Sequence, residues 1–325
     1  MEKEESTLIT PPLRFTDGQQ GVYGEGMSRR CLRRKLPFLP DPDQASIKYL
    51  ANEFGEEPKI KEKGDKILKK TSLAFFVMAI FLSLSGLAMG GPTVTQVSTY
   101  DALLNGIYDG YVTAEQLLSY GDLGIGTYHA LYGEIVLVDG NIYQIKDDGK
   151  AYIPAGSLTT PFALVTKFKP QITARVEKET DFPTFEKILN TTGPNKNLFW
   201  AIRMKGNFSK IRLRSVPEQK KPYPPLTEVT KTQPIFNLEN VTGTIVGFRT
   251  PAYFRGLGVP GFHFHFISRD LKAGGHVLAF TLAEGSTVEI DMCNQYFLIL
   301  PGKDKIFSEV DLSVDRSADT TKTQR

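Results

Sequence analysis

The chain has 325 residues, of which 41% are hydrophobic and 23% charged, so it can bury one large core or two smaller ones. Its net charge is only +3, with 14 basic and 12 acidic residues up to residue 70 and 25 and 24 beyond it. This balance offers no large positive surface for a run of phosphates, so we predict no nucleic-acid partner. Two cysteines, Cys31 and Cys293, exclude a disulfide framework and a cysteine-ligated zinc site.

Residues 1–65 form a predicted leader with little fixed structure. The segment contains Pro11-Pro12, a glycine-rich stretch at 21–26 and a basic run at 29–35. Such a composition lacks the apolar residues that a packed core requires. A coding sequence read from a start upstream of the true one would also account for this segment.

Residues 66–90 resemble a secretory signal. Lys66, Lys69 and Lys70 precede an apolar stretch, and no charged residue follows until Asp101. Small residues near Gly90 match a cleavage site, so we expect export to the periplasm or the extracellular space. The alternative is a membrane anchor at 72–90, because about 19 apolar or small residues can just span a hydrocarbon core. A buried core helix is a third interpretation, disfavoured by the Gly-Gly-Pro sequence that ends the stretch.

From Val94 onward the pattern is that of a globular domain. Residues 99–118 carry apolar residues at helical spacing around an Asp-Gly break, which predicts two short helices. Thr113 followed by Gln116 predicts a capping box at the start of the second helix. Two Asp-Gly pairs, at 139–140 and 148–149, predict hairpin turns between β-branched runs.

Further strands are predicted where the chain alternates or is rich in β-branched residues. These segments are 162–168, 210–216, 243–250, 261–268 and 276–282. Helices are predicted at 184–189 and, from the apolar segment NLFWAIRM, at 197–204. Strands and helices do not alternate regularly, so the fold class is predicted to be α+β with two packed β-rich subdomains. We expect a mixed sheet with a few helices at 91–232, a smaller antiparallel sheet or barrel carrying a metal site at 233–312, and a tail at 313–325.

Three of the four histidines lie in one window of 14 residues. In the segment GFHFHFIS, a strand would place His263 and His265 on one face, about 6.6–7 Å apart, with phenylalanines on the other. His276 opens the next predicted strand after a turn containing two glycines. The hairpin register, and therefore whether His276 meets the pair directly, does not follow from the sequence. His129 is predicted to be a surface residue.

Three converging neutral imidazoles are suited to Zn²⁺ and leave positions for water and substrate. The sequence therefore predicts a zinc site formed by His263, His265 and His276. A His-x-His strand also occurs in cupins, which leaves a metal-dependent cupin-like oxygenase as an alternative. The cupin pattern calls for a glutamate four or five residues past the second histidine, and Asp270 is the only carboxylate in that region.

The order of these motifs resembles the α-acetolactate decarboxylase family. The resemblance extends from about residue 95 to 312. It rests on the segments 96–110, 120–152, 160–168, 197–216, 221–226, 231–236, 243–253 and 258–280. It implies a zinc-dependent carbon–carbon lyase that converts 2-acetolactate to acetoin and CO₂ through a metal-stabilised enediolate, in acetoin and butanediol biosynthesis. It also implies a homodimer.

The resemblance assigns His263, His265 and His276 as zinc ligands, Glu134 as the glutamate beside the metal and Arg214 as the active-site arginine. Glu134 would accept or relay the substrate hydroxyl proton or complete the metal shell, and Arg214 would orient the substrate carboxylate or lie near the carbon that is reprotonated.

Two positions stay open at this stage. On a strand, Arg212 and Arg214 would share one face, so the residues alone do not choose between them. The family also has a second active-site glutamate near its C-terminus, whereas no Glu follows Glu309 here and the tail offers Asp315 and Asp319. The missing glutamate keeps a second function open, that of a secreted, non-catalytic binder of small hydroxy-keto acids.

Overall fold

The computed structural model describes residues 13–17 and 91–324, and every structural statement below concerns these residues. The predicted signal or anchor at 66–90 lies outside them, as does most of the predicted leader. Within the described part of the chain, no helix is both long enough and apolar enough to cross a membrane.

Strands dominate the described chain. In chain order they are β1 (Leu13–Asp17), β2 (Thr93–Val97), β3 (Val112–Thr113), β4 (Leu123–Thr127), β5 (Glu134–Val138), β6 (Asn141–Ile145), β7 (Ala151–Tyr152), β8 (Thr159–Thr160), β9 (Phe162–Thr166), β10 (Ile172–Val176), β11 (Thr180–Asp181), β12 (Phe199–Arg214), β13 (Ile235–Thr250), β14 (Gly261–Ser268), β15 (Gly274–Leu282), β16 (Thr287–Cys293) and β17 (Gln295–Ile299).

The α-helices are short. They are α1 (Tyr100–Leu104), α2 (Ala114–Tyr120), α3 (Phe182–Thr192), α4 (Leu226–Val229), α5 (Lys305–Glu309) and α6 (Ser317–Thr323).

Local sequence signals predict several of these elements correctly. The Thr99 side chain accepts a hydrogen bond from the Ala102 backbone N–H at the start of α1. Thr113 and Gln116 form the predicted capping box of α2, each accepting from the other's backbone N–H. The turn between β5 and β6 contains Gly140 at φ 75°, a backbone conformation that glycine adopts without steric cost. In each case neighbouring residues alone supply the stabilising interaction.

The predicted helix at 197–204 is wrong, because this segment begins the long strand β12. Trp200, Ile202 and Met204 pack into one hydrophobic core, whereas Phe199 and Ala201 pack into another on the opposite face. A strand buried on both faces shows no polar alternation, so its apolar run resembles that of a buried helix.

Two large sheets form the body of the protein. The eight-stranded sheet has the order β1-β10-β16-β12-β13-β14-β15-β11, with an additional pairing between β12 and β15. The seven-stranded sheet has the order β17-β2-β9-β4-β5-β6-β7. Its β17–β2 pair is parallel, and the other pairs given for the two sheets are antiparallel. The α+β class, with mostly strands and few helices, is therefore confirmed.

The two sheets differ from the prediction in their size and in the segments of the chain that they contain. The histidine-bearing sheet is antiparallel, as predicted, but it is the larger of the two. The pairings β12–β13, β13–β14, β14–β15 and β15–β12 close a circuit of four strands within it. Both sheets draw strands from distant parts of the chain, since β17 joins the sheet that contains β2. Within residues 1–65, for which little fixed structure is expected, the structure describes β1 paired with β10.

A hydrophobic core lies between the two sheets. Ile125, Val136 and Leu164 contribute from the seven-stranded sheet, and Val246 and Phe248 from the eight-stranded sheet. The outer face of the eight-stranded sheet packs against α3 in a second core, which contains Phe264 and Phe266. Every second side chain of β14 therefore faces the seven-stranded sheet.

Candidate metal centre

His263, His265 and His276 converge between the two sheets. Each offers a ring nitrogen within 4.8 Å of the others, and even the most exposed, His263, is only 8% exposed. The phenylalanines of β14 occupy the opposite face, as the alternating sequence predicts. The strand alternation thus places both histidines of the His-x-His segment at one point.

The hairpin register brings in the third histidine. His265 on β14 is the direct register partner of His276 on β15, and His276 is in turn the partner of Arg214 on β12. The three side chains form a row across adjacent strands. Gly275 makes this close approach possible: its φ is +144°, and a Cβ atom there would collide with the carbonyl oxygen of Arg214.

The ring nitrogens have a geometry suited to a metal ion. His263 Nε2 and His276 Nδ1 lie 3.2 Å apart, and two nitrogens bound to zinc at about 2.0–2.1 Å in tetrahedral geometry are separated by about 3.3–3.4 Å. His265 Nδ1 donates to the Ile135 carbonyl at 2.7 Å when it carries the proton. That tautomer leaves Nε2, which is buried and has no hydrogen-bond partner in the described structure, as a lone-pair donor.

The environment keeps the histidines neutral. Burial, opposed by the Ile135 carbonyl and reinforced by the Arg214 charge, lowers the pKa of His265 to about 3. Burial, together with the Arg214 charge and the adjacent histidines, also holds the pKa of His263 and of His276 well below the usual value. Neutral imidazole is the form that binds a metal ion, so the triad can hold one.

Glu134 and Arg214 form a buried pair beside the histidines. Arg214 Nη1 lies 3.3 Å from Glu134 Oε1, and Glu134 Oε2 lies 3.7 Å from His265 Nε2. Each residue is only 5% exposed. Burial raises the pKa of Glu134 to about 7 against the opposing effect of Arg214. Because β5 and β12 belong to different sheets, this pair joins the sheets at the site.

The structure separates Arg214 from the two nearby arginines. Arg212 is exposed and lines a surface groove. Arg203 pairs with Glu289 and Asp139. Arg214 alone of the three lines the histidine cavity. Its Nε atom is buried and has no hydrogen-bond partner in the described structure, so it is available to a ligand.

The C-terminal tail covers the site, although neither of its predicted carboxylates enters it. Asp315 is exposed and bonds to Ser317, and Asp319 pairs with Arg316 and Lys322. Instead the Thr323 carbonyl accepts a hydrogen bond from Arg214 Nη2 at 2.8 Å, and Gln324 lines the cavity. Glu134 is the only carboxylate among the described residues that line this cavity.

Tyr100 was not singled out from the sequence and also lines the cavity. Its hydroxyl lies 2.8 Å from Thr323 Oγ1 and accepts from Gln324 Nε2 at 2.8 Å. No local pattern marks Tyr100, since it reads as an ordinary apolar position of α1. Gln324 also carries no local signal in the sequence. His129 lies elsewhere, with its side chain 44% exposed.

Comparisons with known proteins identify relatives of this chain. The family model for alpha-acetolactate decarboxylase matches residues 94–314. The alpha-acetolactate decarboxylase of Methanosarcina mazei is 46% identical over 213 residues, which is 66% of this chain and 74% of that protein. The enzyme of Bacillus subtilis strain 168 is 43% identical over 215 residues, or 66% of this chain and 84% of its own length.

Solved structures of the same family superpose on this chain. The crystal structure of the Bacillus subtilis strain 168 enzyme matches 71% of this chain and 99% of its own, with 42% identity and a TM-score of 0.69. A Staphylococcus aureus protein, described as similar to alpha-acetolactate decarboxylase, matches 72% of this chain and 98% of its own at 28% identity and a TM-score of 0.65. The chain therefore belongs to the alpha-acetolactate decarboxylase family of carbon–carbon lyases.

Proposed function

We propose that this protein catalyses the zinc-dependent decarboxylation of 2-acetolactate to acetoin and CO₂. The observation that carries the proposal is the placing of three neutral histidines, Glu134 and Arg214 around one buried cavity. Family membership supplies the reaction, and the residues present account for its steps. A cupin-like oxygenase has no comparable support.

His263, His265 and His276 would hold the metal. Three neutral nitrogen ligands favour zinc among the common divalent ions, although nitrogen donors also bind other transition metals. When bound, the ion would supply a Lewis acid that stabilises the negative charge developing on the ketone oxygen as CO₂ leaves.

Arg214 binds and orients the substrate carboxylate. Its guanidinium already has one donor on Glu134 and one on the Thr323 carbonyl, which fixes its plane. The unpartnered Nε–H remains for a carboxylate oxygen. Arg214 holds the carboxylate until the carbon–carbon bond breaks. The electron pair of that bond then moves toward the ketone.

Glu134 accepts and returns a proton during the reaction. In the ionised form, Oε2 accepts the hydroxyl proton of the substrate, since it is the only carboxylate that the structure describes in the cavity. The same proton can return to the carbon that lost CO₂, which leaves an alkoxide. One further proton from water then completes acetoin, because converting an anionic carboxylate to CO₂ and a neutral product consumes one proton overall. The surrounding side chains exclude bulk water, because Tyr100, Phe162 and Leu131 are each nearly fully buried.

A direct assay tests the proposal. The purified chain should contain about one zinc ion per chain and convert 2-acetolactate to acetoin with CO₂ release, and His263→Ala should abolish both. Full turnover by metal-free protein would contradict the proposed chemistry. Zinc retention and substrate binding without acetoin would instead support a non-catalytic binder of hydroxy-keto acids.

Export and dimerisation are separate proposals. The apolar segment with its lysine flank supports a signal cleaved after Gly90, or an anchor at 72–90 if cleavage does not occur. N-terminal sequencing of the mature protein distinguishes the two. Family membership supports a homodimer, which sedimentation analysis would test.

A further inference from the structure

In this conformation the histidine cavity is too small for the proposed substrate. Its volume is about 30 Å³, whereas a single water requires about 10–15 Å³ on the same measure. The substrate has about nine non-hydrogen atoms, so it needs far more room than the few waters that fit. Part of the wall must therefore move when the substrate binds.

The end of the C-terminal tail contributes Gln324 to this wall. Thr323 is anchored, since it is fully buried and bonds to Tyr100 and Arg214. Gln324 is only half-buried, and the hydrogen bond described for its side chain runs from Nε2 to the Tyr100 hydroxyl. Gln324 can therefore leave the wall while Thr323 stays in place.

A large groove lies on the other side of Gln324. It has a volume of about 830 Å³, and its walls come from α3, β14, α6 and the end of β12. Gln324 lines both this groove and the histidine cavity. Its side chain is thus a shared wall, and its displacement would connect the two spaces.

The charge in the groove suits an anionic ligand. Arg212 and Arg255 are both exposed there, against one acidic residue, Glu186. Arg255 is partly compensated by Asp315, whose pKa is lowered by hydrogen bonds with Ser317 and, to a smaller extent, by the Arg255 charge. The structure describes no ion pair for Arg212, so no described carboxylate neutralises its charge in the groove.

Resting on the proposed function, we propose that this groove is the access route for the carboxylate substrate. Arg212 attracts the anion, and Gln324 is the side chain that opens the way to the histidines. Phe262, which also lines the groove, gives the substrate methyl groups an apolar surface. Arg212 acts through electrostatic steering, which raises the local concentration of an anion and weakens as salt is added.

Salt-dependent kinetics test the role of Arg212. For Arg212→Gln we expect kcat/KM at low ionic strength to fall about 3- to 10-fold, with the loss in KM rather than kcat. The variant should also show a flatter decline of kcat/KM with salt than the wild type. Arg269→Gln is the matched control, because Arg269 is exposed and lines a different surface cavity. Equal behaviour of the two variants would overturn the steering role.

Access to the histidines can be measured without turnover. The rate at which dipicolinate, an anionic chelator, removes zinc from the purified protein reports passage through the groove. We expect Gln324→Trp to slow this rate at least about 5-fold and Gln324→Ala to raise it. Lys322→Trp is the control, because Lys322 lies two residues before Gln324, is exposed and lines neither space. Similar rates for the two Trp variants would overturn the gating role.

Different results would contradict the proposed function and the access route. Wild-type protein that makes no acetoin and holds no zinc would refute the proposed function, and the route with it. Wild-type protein that turns over normally, with variants that match their controls, would refute only the route.

Discussion

The Arg214 guanidinium lies 3.3 Å from the Glu134 carboxylate and joins β12 of one sheet to β5 of the other. Both side chains are buried, so each would be an uncompensated charge without its partner. The arginine also bonds to the Thr323 carbonyl of the tail. One side chain thus links the two sheets, the C-terminal segment and the histidine cavity.

Replacing Arg214 should therefore affect both stability and turnover. For Arg214→Gln we expect a loss of about 3–5 kcal/mol in the free energy of unfolding, because the buried Glu134 loses its cation and must either stay ionised without compensation or take up a proton. We expect kcat/KM to fall at least about 100-fold, with a rise in KM, since the substrate carboxylate loses the charged donor that binds and orients it. Urea unfolding and acetoin assays measure the two effects. Arg269→Gln should change neither, and a fully active Arg214→Gln enzyme would refute the assigned role.

Glu134→Gln separates proton transfer from metal binding. The amide keeps the size of the side chain but cannot accept a proton, so we expect kcat to fall about 10²- to 10⁴-fold with zinc content unchanged. Zinc analysis and kinetics on the same preparation provide the measurement. Loss of zinc together with activity would instead identify Glu134 as part of the metal shell.

Tyr100→Phe should loosen the tail. The variant loses the hydroxyl contacts with Thr323 and Gln324, each worth about 0.5–1.5 kcal/mol. We expect faster hydrogen exchange in α6 while the central strands of both sheets stay protected. The control is Tyr111→Phe, because that hydroxyl bonds to the Ile299 carbonyl, away from the tail. Equal exchange of α6 in both variants would show that Tyr100 does not hold the tail.

Gly275→Ala should disrupt the metal centre from the backbone. At φ +144° a side chain is strained, and its Cβ would press against the Arg214 carbonyl. We expect a loss of roughly 1–3 kcal/mol in stability and weaker zinc retention, because β15 carries His276 and must move away from β12. At Gly302 an added Cβ meets nothing within 4 Å, so Gly302→Ala is the control. Thermal unfolding and zinc analysis of both variants test this expectation.

The sequence predicted best where neighbouring residues carry the interaction. The Thr113 capping box and the Asp-Gly turns involve contacts within a few positions, so the local residues are sufficient to predict them. The same is true of His263 and His265, because a period of two residues fixes their shared face. The segment from Phe199 to Met204 was predicted wrongly because burial on both faces, a property of the sheets around it, removes the polar alternation.

By itself, the sequence determined the family and the strand that carries two histidines, and the family resemblance implied five site residues. Only the tertiary structure decided that His265 faces His276, that Glu134 meets Arg214 across two sheets, and that Gln324 lies over the cavity. Each of these relationships joins residues brought together by strand register or sheet packing. Register and packing depend on the whole buried surface, which no short run of residues specifies.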